Sequence, residues 1–310
     1  MMTFAFVFPG QGSQSVGMMQ AYGDLPEIRS TFDEASTILG QDLWVLVTQG
    51  SEEDLALTVN TQPAMLVAGV AVYRTWLAGG GKRPQCVAGH SLGEFTALVA
   101  AGSLCFPDAV RLTRFRAEAM QKAVPQGLGG MAAILGLADE DVREACREAA
   151  GAEVLEPANF NSPGQVVIAG HRSAIERGVE AAKARGAKRA LPLAMSVPSH
   201  CSLMRPAADQ LQQYLAEIQL LAPSIPVIHN ATVVEGHTPD EIRAALVQQL
   251  YSPVRWVETI RAMGSRGITQ IFECGPGKVL APLVKRIQPD IQGLALNDAA
   301  ALIAARDILA

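Results

Sequence analysis

The pentapeptide Gly89-His90-Ser91-Leu92-Gly93 constrains the fold most strongly, because it lies between a short apolar run, Gln85 to Ala88, and a stretch rich in small residues, Leu92 to Ala101. A strand, a sharp turn and a helix form the setting in which a nucleophile elbow holds a serine hydroxyl clear of a sheet. Glycines two before and two after the serine remove the Cβ atoms that would collide where strand and helix approach. Chance alone produces the G-x-S-x-G pattern in about one chain in ten of this length. The surrounding sequence therefore decides its meaning.

Strand-like and helical runs alternate around it: Phe4 to Phe8, Met18 to Leu39, Pro63 to Leu77, Gln85 to Ala88, Leu92 to Ala101 and Pro107 to Lys122. This alternation predicts an α/β fold with a buried, mostly parallel sheet. The texture changes near Pro125-Gln126-Gly127-Leu128-Gly129-Gly130. From there the chain reads as strand (Met131 to Leu137), helix (Asp139 to Ala150), two strands meeting around Asn161 to Gly164, helix (Ser173 to Ala184) and strand (Arg189 to Met195). The order β-α-β-β-α-β is the ferredoxin-like arrangement. An α/β pattern then resumes with a long helix from Ser199 to Leu220, a strand at Ile225 to Ile228, a helix at Asp240 to Leu250 and a strand at Ile268 to Glu273. Gly275-Pro276-Gly277 turns that strand into a further helix. The middle segment, 126–196, is thus expected as a small subdomain inserted into a larger one made of 1–125 and 197–310.

The 310 residues are 49% hydrophobic and 18% charged, which allows a large packed core. A net charge of −5 argues against nucleic acid as the ligand. An anionic partner must meet a local basic patch. The five cysteines, Cys86, Cys105, Cys146, Cys201 and Cys274, are scattered without a C-x-x-C pair and read as reduced thiols, with no metal site expected. Met1 to Gly23 carries no Lys or Arg, unlike a signal peptide. The other apolar stretches, Pro63 to Tyr73 and Phe95 to Phe106, fall short of the ~20 residues that span a bilayer. A cytoplasmic chain without membrane contact is expected.

A serine on an elbow needs a base. Of the five histidines, His90 adjoins the serine and reads as a local packing or hydrogen-bonding residue, His171 and His237 as surface residues, and His229 as locally satisfied. His200, in Ser196-Val197-Pro198-Ser199-His200-Cys201, is placed at a strand end where a helix begins, and α/β sheets assemble their sites at strand ends. A helix N-terminus would disfavour imidazolium and keep the base neutral. The alternative is a capping or core histidine. The carboxylates Asp108, Asp139 and Asp141 fall at helix starts, where capping explains them. A Ser-His dyad is expected, its imidazole oriented by a backbone or amide oxygen.

Arg116 falls on the apolar arc of its helix with Ala109, Leu112, Ala119, Met120 and Ala123, whereas Arg111 and Arg114 point elsewhere as solvated charges. A buried guanidinium needs an anion. Two partners are open, an internal one such as Glu94 or a substrate carboxylate held in bidentate fashion. Phe8-Pro9-Gly10-Gln11-Gly12-Ser13 offers backbone N–H groups to a ligand, so Gln11 and Leu92 amides are candidate oxyanion donors. Gly275-Pro276-Gly277-Lys278 lacks phosphate-loop spacing.

Taken together with Asn60-Thr61-Gln62-Pro63, Asn159 to Gln165, Val197 to Cys201, Gln249 to Val254 and Gly275 to Lys278, these motifs make the chain resemble the malonyl-CoA:acyl carrier protein transacylases nearly end to end. The resemblance implies an α/β-hydrolase-like large subdomain and a ferredoxin-like small one. It implies a ping-pong transfer of malonyl from coenzyme A to the phosphopantetheine thiol of acyl carrier protein in fatty acid synthesis. Ser91 is then the nucleophile, His200 the base, Gln11 and Leu92 the oxyanion hole and Arg116 the malonyl carboxylate anchor. Gln249 lies beside His200 and orients it, and Asn161 lines the cleft between subdomains. Malonyl-CoA and acyl carrier protein are the expected partners, coenzyme A a substrate and product, with no cofactor and a monomer. An acidic carrier protein would dock on Lys183, Arg185, Lys188 and Arg189, or on Lys285 and Arg286. Loaders for polyketide synthesis or malonate decarboxylase, a thioester hydrolase and a non-catalytic scaffold remain as alternatives.

Overall fold

The computed structural model describes residues 3–195 and 197–309; Ser196, the last residue of the expected small subdomain, lies outside the described residues, as do Met1, Met2 and Ala310. Among the described residues, nine strands run in chain order as β1 (Phe4–Phe8), β2 (Cys86–Gly89), β3 (Gly129–Leu135), β4 (Leu155–Ser162), β5 (Gln165–His171), β6 (Arg189–Pro192), β7 (Val227–Ile228), β8 (Gln270–Glu273) and β9 (Gln292–Ala295). They form two sheets. Strands β7-β2-β1-β8-β9 make a parallel sheet, and β4-β5-β3-β6 an antiparallel one.

The central strand β1 is buried throughout, because both faces of a parallel sheet are covered. Its period of two sends Phe4, Phe6 and Phe8 to one side and Ala5 and Val7 to the other. Phe4 and Phe6 meet Trp76 and Phe272 edge to face, with the Phe6 centroid 5.3 Å from Trp76 and 6.0 Å from Phe272. Each such buried side chain contributes roughly 1.5–3 kcal/mol relative to exposure. The carboxyl ends of β1 and β2 lie side by side, Phe8 opposite Gly89, so the loops after them converge on one place. That edge is where open α/β sheets bind ligands.

The antiparallel sheet, strand order and connections together, is ferredoxin-like, as expected for this segment. Alternation along its strands separates two environments. Phe160, Val166, Ile168 and Ile134 pack with the helices Asp139–Ala150 and Arg172–Ala184, while Met131, Val167, Asn159 and Asn161 turn toward the carboxyl edge of the parallel sheet. Val254 ties the layers together: its carbonyl accepts from Phe160 N at 2.9 Å and its N–H donates to Ala158 O at 2.9 Å.

Several boundaries differ from the sequence expectation. The long helix expected over Ser199 to Leu220 is a helix over Arg205–Ala216 preceded by a 3-10 turn, because His200 sits at φ 63° and cannot continue a helix. Pro206 occupies the first turn, where its missing N–H costs nothing. The expected run Met18 to Leu39 divides into a 3-10 turn, Gln20–Tyr22, and a helix, Pro26–Leu39. Strand β6 ends at Pro192, three residues before the expected Met195. The helices Leu43–Gln49, Glu52–Ala56, Trp256–Ser265 and Ala299–Leu309 and strand β9 were not marked by any pattern used above. Among the described residues, no helix is long and apolar enough to cross a membrane.

Candidate active site

Ser91 follows β2 after one residue, His90, and the chain turns there into the helix Gly93–Ala100. Its φ of 52° lies in the left-handed region, a strain that persists only when neighbours enforce it. Asn230 does so: its Oδ1 accepts from Ser91 N at 2.7 Å and its Nδ2 donates to Gly89 O at 2.6 Å. A Cβ on Gly89 would sit 1.8 Å from the Gly93 carbonyl carbon, and one on Gly93 would sit 2.1 Å from Phe8 O. Both glycines are therefore demanded by the elbow itself.

His200 Nε2 lies 2.7 Å from Ser91 Oγ. Its Nδ1 is 2.8 Å from the main-chain oxygen of Gln249, which can only accept. That fixes the tautomer with the proton on Nδ1 and leaves Nε2 as the acceptor for the serine proton. The His200 N–H donates to Leu250 O at 3.0 Å. Both carbonyls belong to the last turn of the helix Pro239–Tyr251. The expected helix N-terminus beside His200 is thus corrected, since the adjoining 3-10 turn starts only at Ser202 and the site is met by a helix C-terminus. Burial first and the Arg116 charge second push the His200 pKa from 6.5 down to about 3, while the Gln249 carbonyl raises it. The His200 imidazole rests neutral, while the C-terminal carbonyls favour its protonated form.

Arg116 is 1% exposed, on the helix Phe106–Ala123. Its Nη1 donates to Gln62 Oε1 at 2.8 Å, its Nη2 donates to Gln249 Oε1 at 2.9 Å, and Nη2 also lies 3.4 Å from Ser91 Oγ. Among the described residues, no partner meets its Nε. The open question of an internal carboxylate resolves against a direct pair, because Glu94 is bound to His229 Nδ1 at 2.7 Å, Asn230 N at 2.9 Å and Gln249 Nε2 at 3.0 Å. Burial lowers the Arg116 pKa to about 10, which still leaves a full cation at neutral pH. A buried cation held by neutral amides and 3.4 Å from a serine hydroxyl can accept an anionic group.

The acyl transferase domain family matches residues 5–286. The malonyl CoA-acyl carrier protein transacylase of Escherichia coli K12 is 54% identical over 99% of this chain and 100% of its own, and that of Bacillus subtilis 43% identical over 96% and 94%. An acyl-carrier-protein S-malonyltransferase structure from Burkholderia pseudomallei superposes with a TM-score of 0.97 at 55% identity, covering 99% of this chain and 100% of that one. The chain belongs to the malonyl-CoA:acyl carrier protein transacylase family. A further malonyl-transacylase structure, solved in complex with a type II PKS acyl-carrier protein, has a TM-score of 0.98 at 52% identity, with 99% of each chain covered.

In this transacylase a cavity of about 270 Å³ is lined by Ser91, His200, Arg116, Gln11, Leu92 and Asn161, together with His90 and Gln62. The main-chain N–H groups of Gln11 and Leu92 have no hydrogen-bond partner among the described residues. Gln249 stands beside His200 as expected but orients it through its main chain; its side chain serves Arg116 instead. Asn161 Oδ1 meets His90 Nε2 at 2.8 Å, which brings His90 into the cavity wall. The side-chain partner of His229 is Glu94, 135 positions away rather than local, and it meets Nδ1 while Nε2 has no partner among the described residues. His171 is half-buried and its Nδ1 accepts from Val154 N at 3.0 Å, so it is not a plain surface residue, whereas His237 is exposed. Arg114 is half-buried and bonded to Gln41 rather than solvated. Gln62 and Glu94 stood within motifs, Gln62 in Asn60 to Pro63 and Glu94 directly after the pentapeptide, whereas Asn230 carries no signal in the sequence. All five cysteines are free thiols.

Proposed function

We propose that Ser91 carries the malonyl group as an ester and His200 moves the protons of both half-reactions. The observation that carries this reading is the 2.7 Å contact between Ser91 Oγ and His200 Nε2 beside a buried arginine whose partners among the described residues are Gln62, Gln249 and Ser91. His200 takes the Ser91 proton as Oγ attacks the thioester carbonyl, and the oxyanion is received by the Gln11 and Leu92 amides. Collapse breaks the carbon–sulfur bond, the coenzyme A thiolate leaves with the proton from His200, and malonyl-Ser91 remains. The phosphopantetheine thiol of acyl carrier protein then gives its proton to His200, attacks the ester and regenerates Ser91. Arg116 receives the malonyl carboxylate and selects the acyl group.

The division into a catalytic subdomain, 1–125 with 197–310, and a small one, 126–196, is supported by the two separate sheets whose residues both line the cavity. One chain supplies every group named, so a monomer suffices, and the chemistry needs no cofactor or metal. Free thiols fit a cytoplasmic setting. For carrier docking, Lys285 and Arg286 suit better than the other patch, where Lys183 pairs with Glu180 and Arg185 with Glu148. Arg286 lines a second cavity of about 260 Å³ that shares Gln11, His90 and Asn161 with the first. The test is a mass spectrum after brief incubation with malonyl-CoA. A malonyl increment on the peptide bearing Ser91, discharged by carrier protein, is expected; an unmodified Ser91 peptide during turnover sinks the reading.

A further inference from the structure

Glu94 is completely buried, yet it forms no ion pair with the equally buried Arg116. The side chain of Gln249 stands between them. Its Nε2 spends both N–H groups, one on Glu94 Oε2 at 3.0 Å and one on Ser91 O at 2.9 Å. Its Oε1 accepts from Arg116 Nη2 at 2.9 Å. Turning this amide over would set an NH₂ against the guanidinium donors and a carbonyl against a carboxylate, two repulsions at once. The anion on one side and the cation on the other therefore lock its orientation, with the amide dipole aligned between them.

A direct Glu-Arg pair would occupy the fork that a substrate carboxylate needs. Through the amide, Arg116 gains charge compensation while only three of its five N–H groups are engaged, one of them at 3.4 Å from the nucleophile. The same carboxylate accepts from Asn230 N, and Asn230 clamps the elbow at Ser91 N. Glu94 thus fastens the anchor and the nucleophile to one buried point, itself held by His229.

We propose that Glu94 is a positioning residue for acyl selection, holding Arg116 charged, aligned and open to a carboxylate by way of Gln249. This rests on the reading of Arg116 as the anchor, and the experiment separates the two. Acyl-Ser91 formation is timed with malonyl-CoA and with acetyl-CoA for the unaltered enzyme, Glu94→Gln and Arg116→Ala. Glu94→Gln is expected to lower the malonyl-to-acetyl ratio of kcat/KM by roughly tenfold to a hundredfold, the worth of one charge-assisted hydrogen bond, chiefly through KM for malonyl-CoA. A purely structural role would lower both acyl groups alike. A ratio unchanged or raised in Glu94→Gln, with Arg116→Ala still losing malonyl preference, overturns the role of Glu94 alone. A ratio unaffected by Arg116→Ala overturns the anchor reading beneath it. Should Glu94→Gln fail to fold by thermal melting, Glu94→Asp keeps the charge near His229 and withdraws it from Gln249, and the same ratio decides with the same expected direction.

Discussion

Arg116→Ala is expected to cost malonyl transfer far more than acetyl transfer, and the size follows from the site. Among the described residues, two of the five guanidinium N–H groups lack partners, and a third reaches only 3.4 Å to Ser91 Oγ. A malonyl carboxylate can accept two charge-assisted hydrogen bonds there, each worth about 1.5–3 kcal/mol. Part of that sum is offset by stripping water from the carboxylate, so a net loss of about 3–4 kcal/mol is expected, or a fall of roughly 10²–10³-fold in kcat/KM. Acetyl-CoA offers no carboxylate and forfeits none of this. Its transfer should change by less than about tenfold, reflecting only the Gln62 and Gln249 oxygens left to rebind water. The first half-reaction is the right assay, because coenzyme A release and acyl-Ser91 formation can be timed by rapid quench without carrier protein. Arg116→Lys keeps the charge but loses the planar fork, and should fall between the two. Equal losses for malonyl and acetyl would show that Arg116 shapes the site without selecting the acyl group.

Other outcomes follow from the same geometry. Because burial and Arg116 hold His200 neutral down to about 3, kcat/KM for the first half-reaction should show no acid limb near 6.5, and Arg116→Gln should move the limb upward; a wild-type limb at 6.5 contradicts this assignment. The sign for stability is the same: between about 3 and 6.5 the unfolded chain binds the proton that folded His200 refuses, so this group adds stability as pH rises through that window, which urea melts at several pH values would register. Gly89→Ala should destabilise the fold by about 3 kcal/mol or more, given a Cβ only 1.8 Å from Gly93 C, and a chemical-denaturation shift below about 1 kcal/mol would disprove the required close approach.

What could be read from the sequence was what short-range pattern encodes. The apolar alternation of Phe4 to Phe8, the β-α-β-β-α-β order of the inserted segment and the buried stripe of the helix carrying Arg116 all declare themselves within a few turns of chain. Ser91, His200 and Arg116 were found because each broke a local rule: a serine between glycines, a histidine between strand and helix patterns, a cation on an apolar face. The supports of those residues stayed hidden because they arrive from far along the chain. Glu94 meets His229 across 135 positions, and Arg116 meets Gln249 across 133. An Asn or Gln has no periodicity of its own, so Gln62 stood out only inside the motif Asn60 to Pro63 and nothing marked Asn230. The expected helix at Ser199 failed for a related reason, since the left-handed backbone at His200 is imposed by the site and not by propensity.

The tether of His200 to the Gln249 carbonyl separates two kinds of heritable change. Every residue type supplies a main-chain oxygen, so no codon change at position 249 removes that acceptor while the helix end stays in place. The side chain at 249, by contrast, touches Arg116, the proposed anchor of the acyl carboxylate. Substitution there can redirect selectivity while proton transfer keeps its geometry. Descendants of such a chain are free to explore new acyl groups at positions 62, 116 and 249 without first losing the reaction.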